Sequence, residues 1–346
     1  MPGVVALDLS RNGIRGVQID AAFTGRPRVS RFAAVAVPEG TVFDGEIVDQ
    51  RRGAAAVKEL WKAGRFTTRK AVFGISNRKV VVREVTLPAV AGARRKAALR
   101  YAVEGQVPID LDDAILDFLP LRGVDGGREP LQEGLLVATA RSSLESTVGA
   151  IERAGRQVEA IDFAGFSLLR ALAGTTTGTP AIVNIGAAST TVVISDGGRP
   201  AFARILPNGG DDITRAIERA LGVEFQEAED DKIARGLHGG AATSRDVEAE
   251  TVLREHVATL IDGIRNTLAF YGNANPDRPV DGVVLVGGGS RLTGLVPVLA
   301  RALGVPTVHG DPMPAFQLSR RVRDAGFDGW GLELAATLGV AMGAKR

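Results

Sequence analysis

The chain has 346 residues, 45% of them hydrophobic, which is enough to bury a sizeable core and too long for one small domain, so two lobes or one domain with insertions are expected. The 42 Lys and Arg nearly cancel the 40 Asp and Glu, so the net charge implies neither a nucleic-acid-binding stripe nor an acidic tail. Cysteine is absent, which excludes disulfides, thiolate metal centres and a cysteine nucleophile, and His238, His256 and His309 are too scattered for a zinc cluster.

The opening MPGVVALDLS lacks the basic and apolar regions of an export signal and reads as a buried strand. Nowhere are there about 20 consecutive apolar residues, so no direct membrane insertion is expected and any membrane role would come through a partner. A tight turn, DLSRNG (residues 8 to 13), leads into a second strand, and GRPRVSRFAAVAVPEG (residues 25 to 40) reads as a turn and a third. Helical patterns then alternate with short apolar strands, the mark of a mixed α/β architecture. Among them lies a basic helix, RRKAALRY, whose Arg94, Arg95, Lys96 and Arg100 read as a solvated face, followed by the apolar VPIDL.

The second half repeats the first. AIVNIGAASTTVVISD (residues 181 to 196) aligns with VALDLSRNGIRGVQID (residues 5 to 20) at a constant offset of 176, placing Asn184 on Asp8, Gly186 on Ser10 and Asp196 on Asp20. GRPAFARILPNGG (residues 198 to 210) then matches the first GRP segment. A repeat of this kind signals a repeated structural unit, with an antiparallel hairpin opening each half. Further on, Ile213, Ala216, Ile217, Ala220 and Leu221 form one apolar helix face. Residues 234 to 247 read as an exposed Gly-rich loop, and a long helix is expected from about Glu248 to Tyr271, with His256 packed on its apolar stripe. VVLVGGGSRLTGL runs from an apolar strand into Gly287, Gly288 and Gly289, with Ser290 or Thr293 expected to cap the next helix. LELAATLGVAMGAKR reads as a closing helix packed in the core, with Lys345 and Arg346 as a basic end.

The turns at Asp8 to Gly13, Asn184 to Thr190 and Val286 to Leu295 matter together. Small residues let backbone amides approach phosphate oxygens, and Ser10, Ser189 and Thr190 add hydroxyls. Each alone reads as an ordinary hairpin turn; two related hairpins facing each other would make jaws around a polyphosphate. None is a GxGxxG dinucleotide fingerprint or a GxxxxGK[ST] P-loop.

With these motifs the chain resembles the PilM family, actin-like components of type IV pilus assembly. The first hairpin is similar to the family's phosphate-one loop, the second to phosphate-two, and VVLVGGGSRLTGL to its adenosine motif; NGGDDITRAI, QEAEDDK and LRYAVEGQVPIDLDDAILDF match further. The resemblance implies an actin-like ATPase fold, α/β, with two duplicated lobes around a nucleotide cleft and a IC-type subdomain in place of IB. Subdomain IA would take residues 1–87, 156–178 and 337–346, IC 88–155, IIA 179–207 and 264–336, and IIB 208–263. It implies ATP or ADP with magnesium as cofactor. Asp8 would contact magnesium through water, while Ser10, Asn12, Arg15, Asn184, Gly186, Ala187 and Thr190 would surround the phosphates. Gly209 and Gly210 would line the cleft, Glu229 and Lys232 would meet the ribose or adenine, and Gly287, Gly288, Gly289, Ser290 and Leu292 would complete the adenosine side.

The implied role is a cytoplasmic adaptor, peripheral to the inner membrane, that docks the N-terminal cytoplasmic peptide of a PilN-like membrane protein and meets pilus motor or platform proteins. Three positions depart from the family pattern: Leu9 replaces a glycine, Arg15 a lysine, and Asn184 the second-loop acid. A neutral amide cannot accept a proton near neutral pH, so nucleotide binding with weak or no ATPase activity is expected. The competing readings are an FtsA-like division protein, disfavoured because the chain ends at the closing helix without an amphipathic tail, and an actin-fold ATPase or kinase, for which no substrate base stands out.

Overall fold

In the computed structural model, which describes residues 3–20, 26–105, 107–125, 130–174, 178–240 and 243–343, the chain opens with the expected hairpin of β1 (Val4–Ser10) and β2 (Gly13–Asp20). There follow β3 (Arg28–Ala36), the short pair β4 (Val42–Phe43) and β5 (Glu46–Ile47), α1 (Gln50–Gly64), β6 (Lys70–Ile75), β7 (Val81–Pro88), α2 (Gly92–Val103), β8 (Ala114–Val124), β9 (Leu131–Ala140), α3 (Arg141–Arg153), β10 (Gln157–Phe163) and α4 (Ala164–Ala171). The second half supplies β11 (Pro180–Ile185), β12 (Thr190–Asp196), β13 (Arg199–Leu206), α5 (Gly210–Leu221), α6 (Phe225–Arg235), α7 (Ser244–Ala274), β14 (Gly282–Val286), α8 (Leu295–Leu303), β15 (Thr307–His309), β16 (Gln317–Leu318), α9 (Arg320–Asp324) and α10 (Gly331–Gly343).

Two sheets carry the molecule, ordered β10-β6-β1-β2-β3-β16 and β13-β12-β11-β14-β15. Apart from β16 they are copies, and the copying reaches the register. Asp8 pairs with Arg15 in the first hairpin and Asn184 with Thr191 in the second, both at the offset seen in the sequence. The bulge between Gln18 and Ile19 recurs between Ile194 and Ser195. The parallel neighbour repeats too, with Leu7 beside Phe73 and Val183 beside Leu285. Because a one-residue slip would turn every apolar side chain to the wrong face, this agreement marks one folding unit used twice. Gly25 of the first GRP turn, and Lys345 and Arg346, lie outside the described residues.

Burial follows from the alternation. Val5, Leu7, Ile14 and Phe73 enter one core under α1 and α3, while Val4, Ala6, Val17 and Val72 enter a second under α10. Helix α1 starts where the Asp49 carboxylate accepts the backbone N–H of Arg51 and Arg52, both at 3.0 Å, and buries Val57, Leu60 and Trp61. Leu60 alone, fully buried, contributes about 2 kcal/mol of apolar transfer. Between the lobes lie α4 and α10. Gly339 is required there, because a Cβ would fall 1.8 Å from the Ser167 carbonyl oxygen, and the Ser167 hydroxyl donates to Ala336 O at 2.8 Å.

A third sheet, β7-β9-β8, stands apart with Leu87, Leu99, Val103, Phe118 and Leu136 in its own core. It covers most of the segment expected as IC and also takes in Val81–Pro88. Val107, Ile109 and Leu111 of the apolar stretch pack against this core, and Arg95 and Arg100 are tied to the carbonyls of Val90 and Leu111. Two sequence expectations change. The segment expected as a loop over 234–247 is trimmed at both ends, because α6 continues to Arg235 and α7 begins at Ser244, where Thr243 and Asp246 form a reciprocal cap. Neither Ser290 nor Thr293 caps the helix after the triple glycine: the chain first makes a 3-10 turn, Gly288–Arg291, and α8 starts from Gly294 at φ +87°.

Candidate functional site

The turns after β1, β11 and β14 converge, at the C-terminal ends of their strands, on one cleft between the two sheets, a cavity of about 700 Å³. That size suits a nucleotide. Fourteen of the seventeen expected residues line it; Thr190, Gly209 and Ser290 do not. The reason is hydrogen bonding behind the wall. The Thr190 hydroxyl is buried and donates to Asn208 O at 2.7 Å, the buried Ser290 hydroxyl donates to Gly287 O at 2.7 Å, and Gly209 is packed beneath the second hairpin. These residues build the loops instead of facing a ligand.

In the first hairpin, Arg15 Nη1 lies 2.6 Å from Asp8 Oδ2 and 3.1 Å from Ser10 Oγ, with its guanidinium 4.8 Å from the Trp330 ring centroid. Burial raises the Asp8 pKa, Arg15 opposes that rise, and Glu333 adds to it. The acid and the cation expected to serve magnesium and phosphate are therefore paired with each other. The Ser10 hydroxyl is itself donated to Gly13 O at 2.9 Å.

The second hairpin is clamped to α5. Gly210 N donates to Gly186 O at 2.9 Å and Asp211 N to Ala187 O at 2.8 Å. Ser189 Oγ reaches across to Ser76 O of the first lobe at 3.0 Å. From α6, Lys232 Nζ is bound to Glu229 at 2.7 Å, to Thr214 Oγ1 at 2.8 Å and to Gly210 O at 3.1 Å. Glu229 and Lys232 thus do come together on one helix face, where they brace the start of α5 at the rim of the cleft.

Sequence reasoning missed Arg11. It sits at the tip of the first hairpin, ion-paired with Glu39 at 2.6 Å, and spans the cleft to α6 with its guanidinium 3.5 Å from the Phe225 ring centroid and Nη1 3.9 Å from Asp211. That Nη1 is buried without a hydrogen-bond acceptor. Burial raises Asp211's pKa, and Arg11 is the first group opposing the rise. A cation at the turn tip was the available signal. Glu333, at the start of α10 and held by Arg291, was also missed, since helix α10 read as wholly structural.

The donor set fits a nucleotide: loops of small residues, the orphaned Arg11 donor, Arg15 and Lys232 surround one cavity. It does not form an all-protein magnesium cage, whereas magnesium carried by nucleotide phosphates would need only a water-mediated contact such as the one expected of Asp8. Among the described residues no three acidic or histidine side chains cluster as metal ligands, Asp8 is neutralised by Arg15, and its counterpart is the amide Asn184.

A family model described as type IV pilus assembly protein PilM matches residues 6–345. A solved structure titled PilM-PilN type IV pilus biogenesis complex is 24% identical with a TM-score of 0.87, covering 100% of this chain and 99% of that one. MreB5 of Spiroplasma citri bound to ADP is 12% identical with a TM-score of 0.53, covering 99% of this chain and 96% of that one. Cell division protein FtsA of Bacillus subtilis is 23% identical over 218 residues, covering 56% of this chain and 49% of FtsA; for FtsA of Streptococcus pneumoniae the identity is 26% over 239 residues. The chain spans about half the length of the curated relatives it matches. Taken with the duplicated sheets and the cleft between them, these findings mean that the fold is actin-like and that the chain belongs to the PilM family of type IV pilus assembly proteins.

Proposed function

We propose that this protein holds an adenine nucleotide in the cleft with little or no hydrolysis and works as an adaptor in type IV pilus assembly. The carrying observation is the state of the two jaw loops: both are built to approach a polyphosphate, yet the one jaw acid, Asp8, is tied to Arg15 and the other position is Asn184. No free carboxylate is left there to orient water. Charge compensation for phosphate comes from this chain's Arg11, Arg15 and Lys232. ADP in the MreB5 structure supports the choice of ligand class. A titration with ATP, with magnesium and with EDTA, followed by a turnover assay, tests this: saturable binding with negligible phosphate release is expected, and robust turnover overturns the reading.

The adaptor role rests on the likeness to the PilM-PilN complex. The partner is the N-terminal cytoplasmic peptide of a PilN-like membrane protein, docked between the first sheet and the β7-β9-β8 sheet, which act as IA and IC, while α5 to α7 act as IIB. Such a partner places the protein at the cytoplasmic face of the inner membrane; among the described residues no helix is long and apolar enough to cross a membrane. A pull-down with such a peptide, with and without ATP, checks this, and no binding in either state refutes it. The FtsA matches favour one alternative, a membrane-tethered division protein. Sedimentation with liposomes in the absence of any partner separates the two.

A further inference from the structure

The first sheet has a second concavity at its other end. The cleft receives Gly74 to Arg78, which follow the C-terminal end of β6, whereas a cavity of about 340 Å³ is lined by Phe66, Thr67, Thr68 and Arg69, which precede its start, together with α1 and Arg156 before β10. Its charged lining is wholly basic: Lys58, Lys62, Arg69 and Arg156.

Four like charges line it with no acidic residue among the lining; their mutual repulsion is screened where Lys58, Lys62 and Arg69 are exposed, and a bound anion would relieve what remains. Among the described residues, Lys58, Lys62 and Arg69 make no side-chain hydrogen bond or ion pair. Lys62, in the last turn of α1, also suits that helix's negative end, but Arg69 and Arg156 lie off the helix and have no such account. Arg156 is the most telling. Its Nε is buried with no hydrogen-bond acceptor, and among the described residues the side chain's one hydrogen bond is a long 3.4 Å contact from Nη1 to the Gly155 carbonyl. Burial, and then the positive charge of Arg69, pull its pKa below the usual arginine value.

The walls are rigid. Trp61 donates its indole N–H to Thr68 O at 2.8 Å, meets the Phe66 ring edge-on at 5.4 Å, and has the Arg156 guanidinium 5.1 Å from its centroid. A planar guanidinium held over an indole, with free ammonium groups at the rim, matches an oxyanion that carries more than one negative charge and several acceptor oxygens. We infer that this pocket is an anion site separate from the cleft, which takes a phosphate or pyrophosphate group borne by a soluble molecule or by a lipid headgroup. It stands independently of the nucleotide reading.

Trp61 provides the readout. The chain has two tryptophans, so Trp330→Phe leaves Trp61 as the sole indole. Sodium pyrophosphate is titrated into the full chain at constant ionic strength, and vesicles of phosphatidylglycerol or of phosphatidylcholine are sedimented with it. The expected result is a saturable change in Trp61 emission, weakened at least about ten-fold in the double variant Lys62→Glu, Arg69→Glu and retained in Lys232→Ala of the cleft. Both altered pocket residues are exposed, so the charge reversal at the end of α1 costs little, and far-UV circular dichroism checks that the double variant is folded. Sedimentation with phosphatidylglycerol alone, lost in the double variant, identifies a lipid source; saturable pyrophosphate binding without sedimentation identifies a soluble one. The inference is overturned if neither probe binds, if the double variant binds as well as the parent, or if an aspartate-rich peptide binds where both phosphate probes fail.

Discussion

Asp8→Asn separates two roles for the jaw acid. If the geometry governs, Asp8 competes with a bound phosphate for Arg15, because Nη1 lies 2.6 Å from Oδ2 in a half-buried setting. Asparagine keeps a hydrogen-bond acceptor and removes the charge. The hydrogen bond from the Arg15 cation persists to the amide oxygen, while the carboxylate's Coulombic share is lost; for this half-buried pair that share lies somewhat above the surface range, at about 1 to 1.5 kcal/mol, and is returned to the ligand. The dissociation constant for ATP should fall by about five- to ten-fold. Fluorescence titration with a labelled ATP, repeated in magnesium and in EDTA, measures this, with far-UV circular dichroism to confirm folding. Burial raises the Asp8 pKa, so acidification neutralises Asp8 at a higher pH than an ordinary aspartate and releases Arg15. Any gain in wild-type affinity from that release should be absent in the variant. Weaker binding by the variant in magnesium, with no change in EDTA, would refute the reasoning and assign Asp8 to a metal.

The remaining predictions concern the second jaw and the long helix. Asn184→Asp restores a carboxylate beside the cleft and should raise ATP turnover above that of the parent; unchanged turnover shows that the missing acid is not what limits hydrolysis. Gly209→Ala places a Cβ 2.2 Å from Ala187 O and 2.8 Å from Gly186 O, so the second hairpin must part from α5. A cost of about 2–3 kcal/mol and a lower melting temperature with weaker nucleotide binding are expected, and a wild-type melting curve contradicts this. Asp246, which caps α7, is held at about 2, below the usual 3.8, first by the Thr243 hydroxyl and then by Arg235. A lowered folded-state pKa stabilises above 3.8, and the contribution is lost as pH falls toward about 2. Amide exchange in the first turn of α7 should accelerate over that window, and flat protection between those values would count against the cap.

Much of this molecule was legible from local pattern. The duplication, the two hairpins, the triple-glycine turn and the closing helix are read from alternation and from small residues, because side-chain period and turn chemistry are properties of adjacent positions. The offset between Asp8 and Asn184 even carried the strand register, since hairpin pairing is set within a short stretch of chain. What the sequence could not decide is who pairs with whom across the fold. Asp8 and Arg15 appeared as separate ligands until β1 and β2 placed them side by side, and Arg11 had no evident role until the cleft brought it to Phe225 and Asp211. Thr190 looks like a phosphate donor and Ser290 like a helix cap on the adenosine side in one dimension, but their hydroxyls are spent on Asn208 and Gly287. A buried polar group must be satisfied by whatever lies nearest in space, and only the tertiary structure decides what that neighbour is.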